Sequence, residues 1–444
     1  MKLPLLTVLF WTGCFGVMTA VGQGPVDIEP IQAPFEMPAL ERPTFPGRTL
    51  SITSTGAKPS VLCTQAIQKA IDKLAAKGGG TVVIPQGEWL TGRLILRSNI
   101  NLRLEEGAEL CFSGEIKDYL PVVRTRNEGV DILSLGAMIY ACEAENIALT
   151  GSGKLVSPDT GCELYLRQEG DVEETLEGVP LEQRVFDGAN QTKIFLPVFF
   201  GPVDCKNILV EGVTFEQSVF WNIAPTYCKN IIIRNICVKS YGHGRTDGID
   251  IDSSVNALIE YVNLDCGDDC IALKAGRGND GTDRNRPTEN VVIRHCTLKR
   301  GVGGVAIGSE TAGKIRNVYA YDCMMENLQT AFLIKTRRPR GGGGENLYFE
   351  QIHIRSCKTV VSIDMLGSAQ FVGDWAERFP SRPVGKLTPS FRDISFKGIV
   401  VDSCSMLMKA VGLPESPIEN VTLQDIQSPN WQMRLQDIGR ITFQ

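Results

Sequence analysis

Between Tyr241 and Lys274 stand six aspartates, Asp247, Asp250, Asp252, Asp265, Asp268 and Asp269. They are set among β-branched residues that favour strands. Carboxyls crowded onto neighbouring strands repel one another, and the repulsion keeps one protonated beside another that is ionised at neutral pH. An acid next to a base is the arrangement that breaks a glycosidic bond, one group protonating the leaving oxygen while the other draws a proton from water. Asp247, Asp268 and Asp269 are the candidates for that chemistry. Ile249 and Ile251 alternate with Asp250 and Asp252 and claim the inward face of a strand, so these two aspartates read as a solvated strand face and Asp265 as a turn residue.

What must position the three carboxyls is a repeat. From Asn207 onward the units KNILVEGVTF, KNIIIRNICV, VNALIEYVNL, ENVVIRHCTL, RNVYAYDCMM, ENLYFEQIHI, RDISFKGIVV and ENVTLQDIQS follow one another. Counted from each asparagine, or from Asp393, the first, third and sixth following residues stay apolar in every unit, as in Ile208, Val210 and Val213. Two short strands separated by a bend and stacked unit upon unit satisfy that pattern: a parallel β-helix, all-β in class. Asn146 and Asn101 extend it backwards to about ten coils, and the recurrent asparagine is expected to bond backbone at a turn of each coil. Thr64 to Lys77 has helical spacing and a Gly78-Gly79-Gly80 stop, a helix suited to capping the first coil.

Asp247 and Asp268 lie 21 residues apart, close to one coil, so they fall on neighbouring coils about 4.8 Å apart. Side-chain reach then allows the roughly 6.5–9.5 Å separation at which a water fits between base and sugar, the inverting geometry. Adjacent residues of a regular strand point to opposite faces, so Asp268 and Asp269 share a site only if Gly267 puts them at a bend. Lys335 ends an otherwise apolar strand and is followed by Arg337, Arg338, Arg340 and four glycines, cations suited to a carboxylated sugar.

At 444 residues and a formal charge of -6, the chain is large enough for one long repeat domain and is no nucleic-acid binder. Residues 1–22 read as an export signal, with Lys2, an apolar run and a small-x-small end at Ala20-Val21-Gly22, and predict a periplasmic or extracellular protein with no membrane span after cleavage. Thr12-Gly13-Cys14 offers lipidation at Cys14 as the lesser alternative. Residues 23–48 form an irregular lead-in, and 49–444 the β-helix domain. Thirteen cysteines remain beyond the signal, an odd number. Cys296 and Cys323 occupy core columns as small apolar residues, and CGDDC has no second pair to complete a zinc site. No metal or cofactor is expected. Met365 to Pro389 is an insertion long enough to wall a cleft.

The chain resembles the polygalacturonase family of glycoside hydrolases, family 28, from about Thr53 to Val400. The resemblance is carried by Thr246-Asp247-Gly248-Ile249-Asp250, Gly267-Asp268-Asp269-Cys270-Ile271-Ala272, Gly304-Val305-Ala306-Ile307-Gly308-Ser309-Glu310 and Ile334-Lys335-Thr336. It implies a right-handed parallel β-helix that hydrolyses α-linked galacturonic acid in pectin by inversion and without a metal. Asp268 would be the general acid, Asp247 and Asp269 would hold and deprotonate the water, and Lys335 would bind the substrate carboxylate. The family's asparagine before Thr-Asp is Arg245 here, its Gly-His-Gly histidine is Val302, and its arginine before Ile-Lys is Leu333. Arg245 is therefore expected to take over some carboxylate recognition, with His243 as a further substrate contact or a plain turn residue. The enzyme is expected to be a monomer acting on a pectic oligo- or polysaccharide from a chain end, cutting α-linked galacturonic acid or, with subsites rebuilt around Arg245, a neighbouring pectic linkage such as that of rhamnogalacturonan. A glycan-binding protein that does not cut, and a calcium-dependent lyase, are the competing readings.

Overall fold

The computed structural model describes residues 24–168, 176–189 and 193–444. The leader read at residues 1–22, with Cys14, lies outside them. From residue 49 onward the chain winds into stacked coils. Among the described residues one face of the coil stack is a parallel 13-stranded sheet running from Thr49–Ser51 to Ile441–Phe443. The strands Lys206–Glu211, Lys229–Arg234, Val255–Glu260 and Thr288–Arg294 follow in register, which places Ile208, Ile231, Ala257 and Val291 in one inward column. The other two faces merge through the 11-residue strand Thr297–Ile307 into a 16-stranded set.

The asparagines hold the bends. Asn146, Asn207 and Asn230 have left-handed backbones, φ 54, 54 and 59°, a region that asparagine tolerates better than most residues. Their amides form a ladder, Asn146 to Asn99, Asn207 to Asn146 and Asn230 to Asn207, each at 3.0 Å. The partner is thus the neighbouring asparagine and not backbone. The first rung is Asn99, because Ile100 pairs with Ile147 and Asn101 falls one place further along. The Thr64–Ala75 helix buries Ile67, Ala70, Ile71 and Leu74 at the open end of the stack. All thirteen described cysteines are free, with Cys296 and Cys323 in the core. Among the described residues no helix is long and apolar enough to cross a membrane.

Residues 24–48 contain almost no regular structure, yet they are packed down. Leu40 is buried, and Ile28, Phe35 and Met37 lie against Leu209, Ile232 and Leu258 on the outer surface of the 13-stranded sheet. Those outer residues form a second apolar column, two places after each asparagine, which a half-solvated sheet would not carry. Beside it Glu211, Arg234, Glu260 and Arg294 align across four strands. Glu260 accepts from Arg234 Nε at 2.7 Å and from Arg294 Nε at 2.8 Å, while both guanidiniums also donate to strap carbonyls, those of Pro25 and Glu29 among them. Glu260→Ala would leave two buried cations facing one another. It is expected to lower unfolding free energy by about 3–5 kcal/mol in urea denaturation.

Candidate active site

The third face of the coil carries the aspartates. Register aligns Asp250, Ala272, Ala306, Leu333 and Ser362 across the strands Ile249–Asp252, Ile271–Lys274, Thr297–Ile307, Leu328–Lys335 and Cys357–Asp364. Ile249, Ile251, Ile271 and Leu273 fill the core, so the alternate residues form an outward floor. Asp247 stands in the turn leading into the first of these strands. The Gly248 N–H donates to the Asp269 carbonyl at 3.0 Å, so Asp247 and Asp269 occupy matching places one coil apart. Asp268 precedes them by one residue.

Each carboxyl has a distinct environment. Asp268 is half-buried, and its Oδ2 accepts from the Arg245 N–H at 3.0 Å. Burial and then the neighbouring Asp269 push its pKa up, against the pull of Lys335. Asp269 is 1% exposed. Its Oδ2 accepts from Lys335 Nζ at 2.9 Å, and its Oδ1 has no hydrogen-bond partner among the described residues. Asp247 is also buried, with Oδ2 3.7 Å from Lys274 Nζ. Burial raises its pKa well above the ordinary value, and Asp250, Asp268 and Asp269 raise it further. The three carboxyls therefore interact as one cluster between two lysines. Such a cluster can hold an acid and a base side by side.

Other expected site residues lie differently. Asp250 and Asp252 are 0% and 1% exposed, which overturns their reading as a solvated face. They do point outward, but the floor is roofed at that coil. Arg245 turns its guanidinium over the Phe220 ring, 4.9 Å from the centroid, and donates to Glu128 at 2.6 Å. Its backbone N–H, not its charge, meets Asp268. His243 is half-buried at the rim, its ring 6.1 Å from Tyr165 and its carbonyl accepting from Thr246 Oγ1 at 2.9 Å. Arg338 is buried against Glu415 and the carbonyls of Trp375, Glu377 and Arg378, so it anchors the insertion at 365–389.

The roof is a hairpin, Val123–Asn127 and Val130–Ser134, the one antiparallel strand pair among the described residues. It leaves the coil between the second and third faces and crosses the floor. On one side Glu128 holds Arg245. On the other the Arg277 N–H donates to the Gly129 carbonyl at 3.3 Å, and Asp131 takes Arg284 at 2.6 Å. Beneath it Arg126 is bonded to Asp252 at 2.8 Å. The hairpin thereby covers the floor at the coil that carries Asp250 and Asp252. Sequence reasoning passed over Lys274, Glu310 and the hairpin. Lys274 ends an apolar strand as Lys335 does, and that shared pattern was the available signal.

Comparison with known proteins agrees with this architecture. The model for glycosyl hydrolases family 28 matches residues 186–368, which span Asp247 through Lys335. A probable polygalacturonase of Vitis vinifera is 26% identical over 82% of this chain and 70% of its own length. An exo-poly-alpha-D-galacturonosidase of Dickeya chrysanthemi is 24% identical over 80% of this chain and 62% of its own. The crystal structure of a hyperthermoactive exopolygalacturonase from Thermotoga maritima superposes with a TM-score of 0.79 at 28% identity, covering 91% of this chain and 93% of that one. The coil, the floor and the matched segment agree in supporting glycosyl hydrolases family 28, and the polygalacturonase relatives indicate a glycoside hydrolase.

Proposed function

We propose that the protein removes galacturonic acid from the end of α-linked galacturonan chains by inversion. Asp268 is the general acid, and Asp269 and Asp247 hold and deprotonate the water. The observation that carries the end-cutting part is the hairpin that crosses the floor beside Arg245, since a groove open on one side admits a chain end and not a chain middle. Relatives named as exo-acting support the same reading. Asp268, half-buried and raised, retains the proton that the leaving oxygen takes. Asp269 is matched by Lys335, and its unpartnered Oδ1 is an acceptor for water. Lys335 keeps N–H donors beyond the one given to Asp269, enough to take a substrate carboxylate as well. A leader at residues 1–22 fits an enzyme exported to meet an extracellular polymer.

Incubation of the native protein with defined oligogalacturonides tests this. Monomeric galacturonate is expected from the first minutes, with polymer viscosity barely changed while reducing ends accumulate. NMR during the first turnovers is expected to show the product as the β anomer. Early mixtures of mid-sized oligomers would overturn the end-cutting reading, and no release from any pectic substrate would overturn hydrolysis.

A further inference from the structure

Lys274 ends the Ile271–Lys274 strand on the groove floor and is 5% exposed. Its Nζ is nearly equidistant from three carboxylates, 3.7 Å from Asp247 Oδ2, 3.5 Å from Asp250 Oδ1 and 3.6 Å from Glu310 Oε2. The indole of Trp221 lies across it, 4.6 Å from Nζ to the ring centroid. A lysine paired with one acid would sit at hydrogen-bond distance; this one is centred among three.

The surrounding charges show what that centring does. Lys335 stands against Asp269 at 2.9 Å, and Arg340 against Glu310 at 2.5 Å. Arg277 also faces Glu310, while Asp268 and Asp269 face Asp247. Lys274 is left as the cation of both Asp247 and Asp250. Asp250 is 0% exposed, and neither of its carboxyl oxygens has a hydrogen-bond partner among the described residues. A buried ionised carboxylate without hydrogen bonds is costly, and half of one ammonium does not offset it. Two carboxyls that share one cation in a dry site keep one proton between them.

We propose that Lys274 and Asp250 are positioning residues for the hydrolysis. Lys274 fixes the Asp247 carboxyl in place, and Asp250 shares a proton with it and so sets the pH at which Asp247 becomes ionised. Burial pushes the Asp250 pKa up to about 7 even with Lys274 beside it, which accords with the shared proton. Neither residue is open to the groove, so neither contributes to substrate binding. The proposal rests on Asp247 acting as described under Proposed function.

The test uses Lys274→Met, Asp250→Asn and the double variant in the full chain, read by kcat, KM, the pH profile on oligogalacturonides and thermal melting. Lys274→Met is expected to lower kcat by about a hundredfold, because it frees a carboxyl that must be placed within an ångström. KM is expected to stay within about twofold, as for a residue that makes no substrate contact. Asp250→Asn removes a like charge from Asp247, so the acid limb of the profile is expected to move to lower pH. The double variant restores the balance of charge and is expected to melt above Lys274→Met and to recover part of its lost rate. If Lys274→Met does not fold, the other two variants still decide the matter. An Asp250→Asn profile that superposes on the wild type, with a double variant no better than Lys274→Met in melting or rate, overturns the proposal. The melting comparison reads no turnover, so an inactive native protein would sink the proposed hydrolysis and the positioning role with it, while the melts would still decide whether Lys274 and Asp250 balance one another's charge.

Discussion

Asp268→Asn and Asp269→Asn are each expected to lower kcat on oligogalacturonides by about 10²–10⁴-fold while changing KM little. Both substitutions keep the shape of the side chain, so what they remove is the proton donor or the acceptor. The two roles separate on substrates that relieve one of them. A galacturonide with a nitrophenyl leaving group needs no protonation at the departing oxygen, so Asp268→Asn is expected to recover most of its rate there and Asp269→Asn none. The pH profile gives an independent sign. Burial and Asp269 hold the Asp268 pKa above that of a free aspartate, so it stays protonated to higher pH. Activity that needs this proton is lost as pH rises through that raised value, and the alkaline limb is expected to vanish in Asp268→Asn. Rescue of Asp269→Asn in place of Asp268→Asn would reverse the assignment of acid and base, and equal behaviour of the two variants on both substrates would overturn it.

Much of this site was readable from residue types because a solenoid turns spacing into position. The three apolar columns fix which residues face inward, and a separation of 21 residues then places Asp247 and Asp268 on neighbouring coils. Lys335 was legible for the same reason, as a charge closing an apolar strand. Asp250 was not. Its alternation with Ile249 and Ile251 correctly put it on the outer face, but only a distant hairpin at residues 123–134 makes that face dry. Contacts of this kind, such as Arg126 with Asp252, join segments more than a hundred residues apart and leave no local pattern. Arg245 has a partner that the sequence did not reveal. A cation beside the acid suggests carboxylate recognition, whereas Glu128 on the hairpin takes its guanidinium. The strap at 24–48 did leave a trace, since the columns Leu209, Ile232 and Leu258, and Glu211, Arg234 and Glu260, are unsuited to a wet surface.

Gly267→Ala is expected to cost as much activity as loss of an aspartate, although residue 267 does no chemistry. A bend before Asp268 suggests a glycine needed for its conformational freedom, yet Gly267 is not among the residues with positive φ. The requirement is space. A Cβ there would lie 1.6 Å from the His243 carbonyl oxygen and 2.6 Å from Thr246 Oγ1. The first of these is backbone, which no rotamer change relieves. The Gly267 N–H also donates to Thr246 Oγ1 at 3.0 Å, and Arg245 in the same turn donates its N–H to Asp268. Forcing the two segments apart therefore shifts Asp247 and Asp268 relative to one another. Overpacking of this sort costs about 1–3 kcal/mol or more, and a shift of an ångström between reacting groups costs about a hundredfold in rate. Gly244→Ala is the matched control, because a Cβ at that position meets nothing within 4 Å. It is expected to change stability by less than about 0.5 kcal/mol. Thermal melts and kcat for the two variants check the contrast. If Gly267→Ala matches Gly244→Ala in both, the turn from 243 to 246 does not press on residue 267, and the close approach that seats Asp268 beside Arg245 is wrong.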